Sequence, residues 1–217
     1  MTTLLITGFG RFPGAPSNPT AAIVRDLIRR RRPALAGHRL VGHVFETRWD
    51  AVDHDLPMLL GRERPEVVVL LGVATRADRV RLELFARNRR TILFPDAGGT
   101  RNDVIRIAPG APFFRPGRFP APRLAAALRQ GGLVPALSRN AGGYLCNYAY
   151  WRALDAAQVP GGPRLVVFVH VPPLHRLRDG GMSPSPPSRH QGGRLVTAHD
   201  RLVTGLEHLL VAAVARL

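Results

Sequence analysis

The sequence predicts an α/β fold, a three-layer α/β/α sandwich with a mainly parallel or mixed central sheet. Two observations lead to this prediction. Apolar runs typical of buried strands alternate along the chain with amphipathic segments typical of helices. The runs at 67–71 and 164–173 are apolar almost throughout, as strands covered on both faces by helices are. A chain of 217 residues is expected to form one domain over residues 1–217.

The individual elements follow from periodicity and from residues that begin or end helices. Asn18 is the expected N-cap of the first helix, with Pro19 at its first position. Pro57 is expected to shorten or kink the second helix. Strands are expected at 3–7, 38–45, 67–71, 80–84, 104–107, 134–137 and 164–173, and helices at 19–31, 50–60, 122–130, from about 146 through 154, and 197–216.

Two segments carry little regular periodicity. The Gly- and Pro-rich segment 98–122 is interpreted as a flap or as a contact in a homo-oligomer. The Ser-, Pro- and Gly-rich segment 176–193 is expected to be a mobile loop.

The net charge of the chain is evidence about the kind of partner it binds. A formal net charge of +16 ordinarily favours nucleic acid or an acidic surface. All 31 lysine-plus-arginine positions are arginine, and Ala, Gly and Pro are abundant, which is the composition that GC-rich coding produces. The one dense basic block, 29–32, ends a predicted helix, where cations are favourable. We therefore expect no nucleic-acid partner and keep an arginine-rich nucleic-acid-binding protein as the least favoured alternative.

Localisation and cofactors are predicted from features that the sequence lacks. No stretch approaches the roughly 18 to 20 apolar residues of a membrane span, and the first residues have no charged start or cleavage site of a signal peptide. We expect a cytoplasmic protein with no membrane partner. The histidines show no metal-ligand spacing, so no metal or other cofactor is expected.

The single cysteine, Cys146, follows a paired glycine, Gly142-Gly143, and precedes a predicted helix. Glycines allow a sharp turn there, which places Cys146 at a helix N-terminus, where unpaired N–H groups favour a thiolate. This arrangement is typical of a nucleophile. A lone buried cysteine with a packing role alone is the alternative.

A cysteine nucleophile needs a base and a group that orients it. His170 lies near the C-terminal end of the predicted strand 164–173, the end at which open α/β sheets place their chemistry. Glu83 alternates with Val80, Leu82 and Leu84 and is expected on the opposite strand face. It is the best candidate to orient the imidazole, although an exposed strand glutamate with no such role is the alternative.

These residues carry a family resemblance. From the N-terminus to about residue 175, the chain resembles pyroglutamyl peptidase I, also called pyrrolidone-carboxylate peptidase, a family of cysteine peptidases. The resemblance rests on TGFGRFPG at 7–14 with Asn18-Pro19, Leu82-Glu83 with Asn88, Pro95-Asp96, SRNAGGYLCN at 138–147 and FVHVP at 168–172. It implies the three-layer fold, hydrolysis at an N-terminal pyroglutamyl residue, and Cys146, His170 and Glu83 as nucleophile, base and orienting carboxylate.

The same resemblance implies a substrate pocket. Phe9 and Phe12 correspond to two phenylalanines that sandwich the flat pyroglutamyl ring, and Tyr144 and Leu145 adjoin the nucleophile. Aromatic faces suit a small uncharged lactam. The alternative for Phe9 and Phe12 is that both simply fill the core.

The chain departs from the family pattern at two loops. Val73 stands where the family has a glutamine, and Leu93 stands where it has an arginine. Arg76, Arg89 and Arg90 are candidates for a replacement charge. The departures favour, as an alternative to a working peptidase, a catalytically weak or inactive homologue that acts as a binding protein. They also predict weaker or redirected activity toward pyroglutamyl or related small N-acyl amides.

Overall fold

The structure, a computed structural model, describes residues 1–12, 14–30, 32–178 and 196–215. Within these residues the strands are β1 (Thr3–Phe9), β2 (Arg39–Phe45), β3 (Val67–Val73), β4 (Arg81–Glu83), β5 (Phe85–Arg87), β6 (Phe114–Pro116), β7 (Ala136–Ser138) and β8 (Leu165–Val171). The α-helices are α1 (Thr20–Arg29), α2 (Trp49–Glu63), α3 (Ala121–Gln130), α4 (Leu145–Ala156) and α5 (Ala198–Val214).

Six of the strands form one mixed sheet in the order β2-β1-β3-β8-β4-β7. The pairs β1–β2, β1–β3, β3–β8 and β4–β7 are parallel, whereas β4 runs antiparallel to β8. Strands β5 and β6 form a separate antiparallel ribbon. The predicted mainly parallel or mixed sheet is therefore confirmed, with β3 and β8 in its buried centre.

Helices cover both faces of the sheet. The apolar side chains of α1, α3 and α5 pack on one face with Leu4, Ile6, Val67, Val69 and Val167. Those of α2 and α4 pack on the other face with the alternating strand residues Leu5, Val68, Val166 and Phe168. Alternation along each strand sends successive side chains to opposite layers, and the predicted three-layer sandwich is confirmed.

The helix boundaries lie close to those expected, with differences in α1 and α2. The N-cap of α1 is Pro19, not the predicted Asn18, and the helix begins at Thr20. Asn18 Oδ1 still accepts the Thr20 N–H at 3.1 Å. At the start of α5, Thr197 and Asp200 form a capping box. Helix α2 neither stops nor shortens at Pro57. Pro57 is exposed, so the carbonyl that it leaves without an N–H partner can be solvated by water.

The strand predicted at 104–107 was wrong, because none forms there. The carbonyls of Val104 and Ile105 accept hydrogen bonds from the side chain and backbone of Arg90, respectively. Asn88 Oδ1 accepts the N–H of Ala108 at 2.8 Å. Single bonds to the preceding loop thus replace a strand ladder.

The C-terminal predictions are covered only in part. Of the predicted loop 176–193, residues 179–193 lie outside the described residues, as does Arg216 at the predicted end of α5. Among the helices that the structure describes, none is long and apolar enough to cross a membrane.

Candidate active site

Cys146 is the second residue of α4. Gly142, in the loop before the helix, has φ +86°, a backbone conformation that residues with side chains rarely adopt. The first hydrogen bond of the helix runs from the Tyr148 N–H to the Tyr144 carbonyl at 3.1 Å. The Cys146 N–H makes no hydrogen bond with the described residues, so it can bind developing negative charge at the helix N-terminus.

His170 lies on the sheet face that α4 covers. Alternation along β8 places it on the same side as Phe168, with the two rings 4.8 Å apart. On the neighbouring strand, Gly72 is the register partner of His170. A Cβ atom at Gly72 would lie 2.7 Å from the Cys146 Sγ. The missing side chain at Gly72 therefore leaves the space that the Cys146 sulfur occupies.

Gly72→Ala is expected to displace the Cys146 sulfur. The added methyl group would also lie 2.8 Å from Phe168 Cζ, so the variant should lose about 1–3 kcal/mol of stability through overpacking. A displacement of about 1 Å should lower kcat/KM by about 10²-fold. Gly61→Ala, where an added Cβ atom meets nothing within 4 Å, is the control in thermal unfolding and in kinetic assays. Wild-type activity in the Gly72 variant would contradict the placement of the nucleophile.

Glu83 completes the group from β4. Its Oε1 lies 2.8 Å from His170 Nδ1, and its side chain is fully buried. The tyrosine hydroxyl of Tyr150, from α4, donates to the Glu83 backbone carbonyl at 2.9 Å. Glu83 Oε2 has no hydrogen-bond partner of ordinary geometry among the described residues, although the nearby Ser138 side chain helps to lower the Glu83 pKa. The carboxylate is thus held in place and aimed at one ring nitrogen.

Burial and hydrogen bonding shift the pKa values of Glu83 and His170 in opposite directions. Burial lowers the pKa of His170, but its interactions with Cys146 and Glu83 outweigh burial and raise that pKa to about 9. Burial raises the pKa of Glu83, yet the hydrogen bond with His170 and its charge bring that pKa below its ordinary value. The raised pKa of His170 and the lowered pKa of Glu83 both favour an imidazolium held by a carboxylate. No hydrogen bond of ordinary geometry joins Cys146 to His170, and such contacts are often loose before substrate binds.

Three supporting residues escaped the sequence analysis. The sequence analysis assigns no role to Tyr150 or Gly72. Asn147, next to the nucleophile, accepts the Arg87 N–H and donates to the carbonyls of Arg87 and Arg89, each at 2.8 Å. The sequence does carry a signal for Asn147, because it is an amide in an otherwise apolar helix segment. A buried amide needs polar partners.

The predicted pocket residues occupy two environments. Phe12 is half-buried, and its ring centroid lies 5.7 Å from that of Tyr144. Val73 is half-buried at the end of β3. Phe9 and Leu145 are 2% and 1% exposed, respectively, within the core beneath α2 and α4. The structure therefore brings Phe12 and Tyr144 together at the surface and places the other two side chains behind them.

The loop around Leu93 is fixed mainly by its backbone. Leu93 is 67% exposed, and its carbonyl accepts a hydrogen bond from Arg101 at 2.8 Å. The Tyr144 hydroxyl donates to the Pro95 carbonyl at 2.9 Å. The buried Asp96 carboxylate accepts the Trp49 N–H, at the start of α2, at 3.1 Å. Leu93 thus lies on a loop that is held at Tyr144 against residues 139–144, here called the nucleophile loop, and at Trp49 against α2.

Comparisons with known proteins identify the family of this chain. The family model for pyroglutamyl peptidase matches residues 2–192. Pyrrolidone-carboxylate peptidase from Pyrococcus furiosus is 28% identical over 209 residues, which cover 95% of this chain and 99% of that relative. The enzyme of the same name from Thermococcus onnurineus is 31% identical over 172 residues, 79% of this chain and 84% of the relative.

Solved structures give the same result for the fold. The pyrrolidone carboxyl peptidase of Thermococcus litoralis superposes with a TM-score of 0.80 at 25% identity, covering 98% of this chain and 93% of that one. The family model and the superposed fold both extend over most of the chain. The chain belongs to the pyroglutamyl peptidase family of cysteine peptidases.

Proposed function

We propose that this protein is a cysteine-type omega peptidase that removes an N-terminal pyroglutamyl group from peptides or small amides. The observation that carries the proposal is the buried Glu83–His170 pair, which lies beside Cys146 at the start of α4. A thiol next to an imidazole that a carboxylate orients is the arrangement of an activated nucleophile.

The residues support a two-step acyl transfer. His170, as an imidazolium, holds the proton that Cys146 gives up, and the thiolate sulfur attacks the pyroglutamyl carbonyl carbon. As the scissile C–N bond breaks, the His170 imidazolium gives its proton to the leaving amine. His170 then takes a proton from water, which attacks the thioester and releases pyroglutamate and the Cys146 thiol. Glu83 holds the productive tautomer, and the Cys146 N–H stabilises the oxyanion.

The proposed pocket for the lactam ring lies at Phe12 and Tyr144, where two aromatic rings adjoin the nucleophile loop. Val73, at the end of β3, lies one residue beyond Gly72, which packs against Cys146. Neither Val73 nor Leu93 has a side chain that can hydrogen-bond the lactam. The backbone N–H and carbonyl groups of the same loops can hydrogen-bond the lactam instead.

Restoring polar side chains at these two positions is expected to raise specificity. Val73→Gln with Leu93→Arg should increase kcat/KM for a pyroglutamyl amide relative to prolyl and acetyl-alanyl amides by about 5-fold, because one net hydrogen bond contributes about 1 kcal/mol. The control is Val73→Leu with Leu93→Met, which changes shape without adding hydrogen-bonding groups for the lactam. Equal ratios for the polar and apolar pairs of variants would show that backbone groups alone recognise the ring.

Covalent labelling tests the proposed function directly. A pyroglutamyl chloromethyl ketone should alkylate Cys146, as mapped by mass spectrometry, and free pyroglutamate should slow the labelling. The inactive-homologue alternative predicts slow labelling that pyroglutamate does not affect. The comparisons with peptidases do not favour that alternative.

The cytoplasm is the proposed location, because thiols stay reduced there. A homo-oligomer and the lack of a nucleic-acid partner remain predictions. Sedimentation of the purified protein tests the first, and the salt dependence of oligonucleotide binding tests the second.

A further inference from the structure

The surface next to the nucleophile loop continues into a second groove. A cleft of about 360 Å³ is lined by Gly142, Gly143 and Tyr144, which lead into α4, and by Arg87 and Arg89. Arg87 and Arg89 also line a larger groove of about 790 Å³, here called the arginine groove. Because the cleft and the groove share these two residues, they adjoin each other, and the cleft borders the loop that leads to Cys146.

The cleft and the groove are fixed relative to the nucleophile. The side chain of Asn147, one residue after Cys146, holds the backbone of both Arg87 and Arg89 through three hydrogen bonds. Tyr144 belongs to both parts of the site, because its ring lies near that of Phe12 and the residue also lines the cleft. A pyroglutamyl group held beside Phe12 therefore leaves the cleft as the way out for the rest of the peptide.

The arginine groove is strongly cationic. Arg106 and Arg139 line it together with Arg87 and Arg89. None of the four forms an ion pair with a carboxylate among the described residues, whereas Arg32, Arg115 and several others on the same protein do. The groove lining contains no Asp or Glu. Four guanidinium groups without acidic partners favour a ligand that carries carboxylates.

The groove is also apolar along one wall. Phe113 and Phe114 are 75% and 56% exposed. The Arg106 guanidinium lies 4.8 Å from the centre of the Phe113 ring, and Phe114 packs edge-on against Phe85 at 5.2 Å. Exposed aromatic rings grouped in a groove mark a binding surface. The ligand that fits is an extended segment with both acidic and apolar side chains.

We propose that the arginine groove binds the part of the substrate that leaves as the free peptide, so that the enzyme prefers pyroglutamyl peptides with acidic side chains beyond the scissile bond. This inference rests on the proposed peptidase function. Bound peptide runs in an extended form from Cys146 past Arg87 and Arg89. Its carboxylates meet the guanidinium groups, and an apolar residue between them lies against Phe113 and Phe114.

The test compares three peptides that differ only in charge: pyroglutamyl-Ala-Asp-Phe-Asp-amide and its versions with Asn or Lys in place of Asp. At about 0.02 M salt, kcat/KM should be at least about 5-fold higher for the Asp peptide than for the Asn peptide, and lowest for the Lys peptide. The Asp preference should shrink at about 0.5 M salt, where charges are screened over a few ångströms.

Matched variants locate the effect. Arg89→Gln with Arg139→Gln removes two groove charges whose side chains make no hydrogen bonds among the described residues, and it should bring the Asp-to-Asn ratio close to one. Arg25→Gln with Arg129→Gln removes two exposed charges from α1 and α3, in the opposite helical layer, and should keep the ratio. A preference that survives the groove variant, or that is lost equally in the control, overturns the proposal.

Binding measurements separate this inference from the proposed function. Calorimetry of uncleaved peptides with Cys146→Ala should show at least about 5-fold tighter binding of the Asp peptide than of the Asn peptide. A pyroglutamyl coumarin amide, which has no peptide beyond the scissile bond, reports peptidase activity alone. Activity on the coumarin amide with equal binding of all peptides overturns the groove assignment, whereas selective binding without any hydrolysis overturns the proposed function. Tighter binding of an oligothymidine than of the Asp peptide also overturns the groove assignment.

Discussion

Replacing Cys146 with alanine is expected to lower kcat/KM for a pyroglutamyl amide by at least about 10⁴-fold. The acyl-enzyme cannot form without the sulfur, and water lacks an activated route to the carbonyl. His170→Ala should cost nearly as much. Because nucleophile and base act in the same step, the double variant should be no slower than the Cys146 variant alone.

Stability measurements separate this loss from unfolding. Cys146 is half-buried beside Gly72, so Cys146→Ala and Cys146→Ser should change the melting temperature by only a few degrees, which corresponds to about 1 kcal/mol. Unchanged turnover in Cys146→Ala, or additive losses in the double variant, would contradict the assignment of nucleophile and base.

Glu83→Gln is expected to lower kcat by about 10²-fold and to leave measurable activity. The amide oxygen can still accept the His170 Nδ1–H at the position of Oε1, but the negative charge is gone. The orienting role is therefore partly kept, while stabilisation of the imidazolium is lost.

The pH profile gives this variant a readout that misfolding does not mimic. With its pKa raised to about 9, His170 is protonated below that pH and loses its proton as the pH rises through it. The His170 imidazolium gives its proton to the leaving amine, so kcat/KM should fall as His170 loses that proton. The alkaline limb of kcat/KM should therefore lie near pH 9 in the wild-type protein. Glu83 is one of the groups that raise the His170 pKa, so Glu83→Gln should move the limb to lower pH. A limb that stays in place or moves to higher pH would show that Glu83 does not act through His170.

Much of the fold could be predicted because its signals are local. The apolar runs of β3 and β8, the glycine pair before α4 and Asn18 before α1 each specify structure within a few residues. The placement of Glu83 on the strand face opposite Leu82 followed from alternation alone. In the same way, His170 could be assigned to the C-terminal end of its strand.

The rest depends on contacts between distant segments, which periodicity does not encode. The antiparallel direction of β4 against β8 is one example, and it brings Glu83 in β4 to His170 across 87 positions of sequence. The bonds from Arg90 and Asn88 that replace a strand at 104–107 are another. The space that Gly72 leaves for the Cys146 sulfur forms only when β3, β8 and α4 are assembled.

Hydrolysis of a pyroglutamyl coumarin amide by the purified protein, beside Cys146→Ala prepared in parallel, tests the central claim most directly. The account predicts coumarin release by the wild-type protein, none above background by the variant, and much slower release from the prolyl amide. No release by a folded, reduced wild-type protein, or equal release by the Cys146 variant, would contradict it.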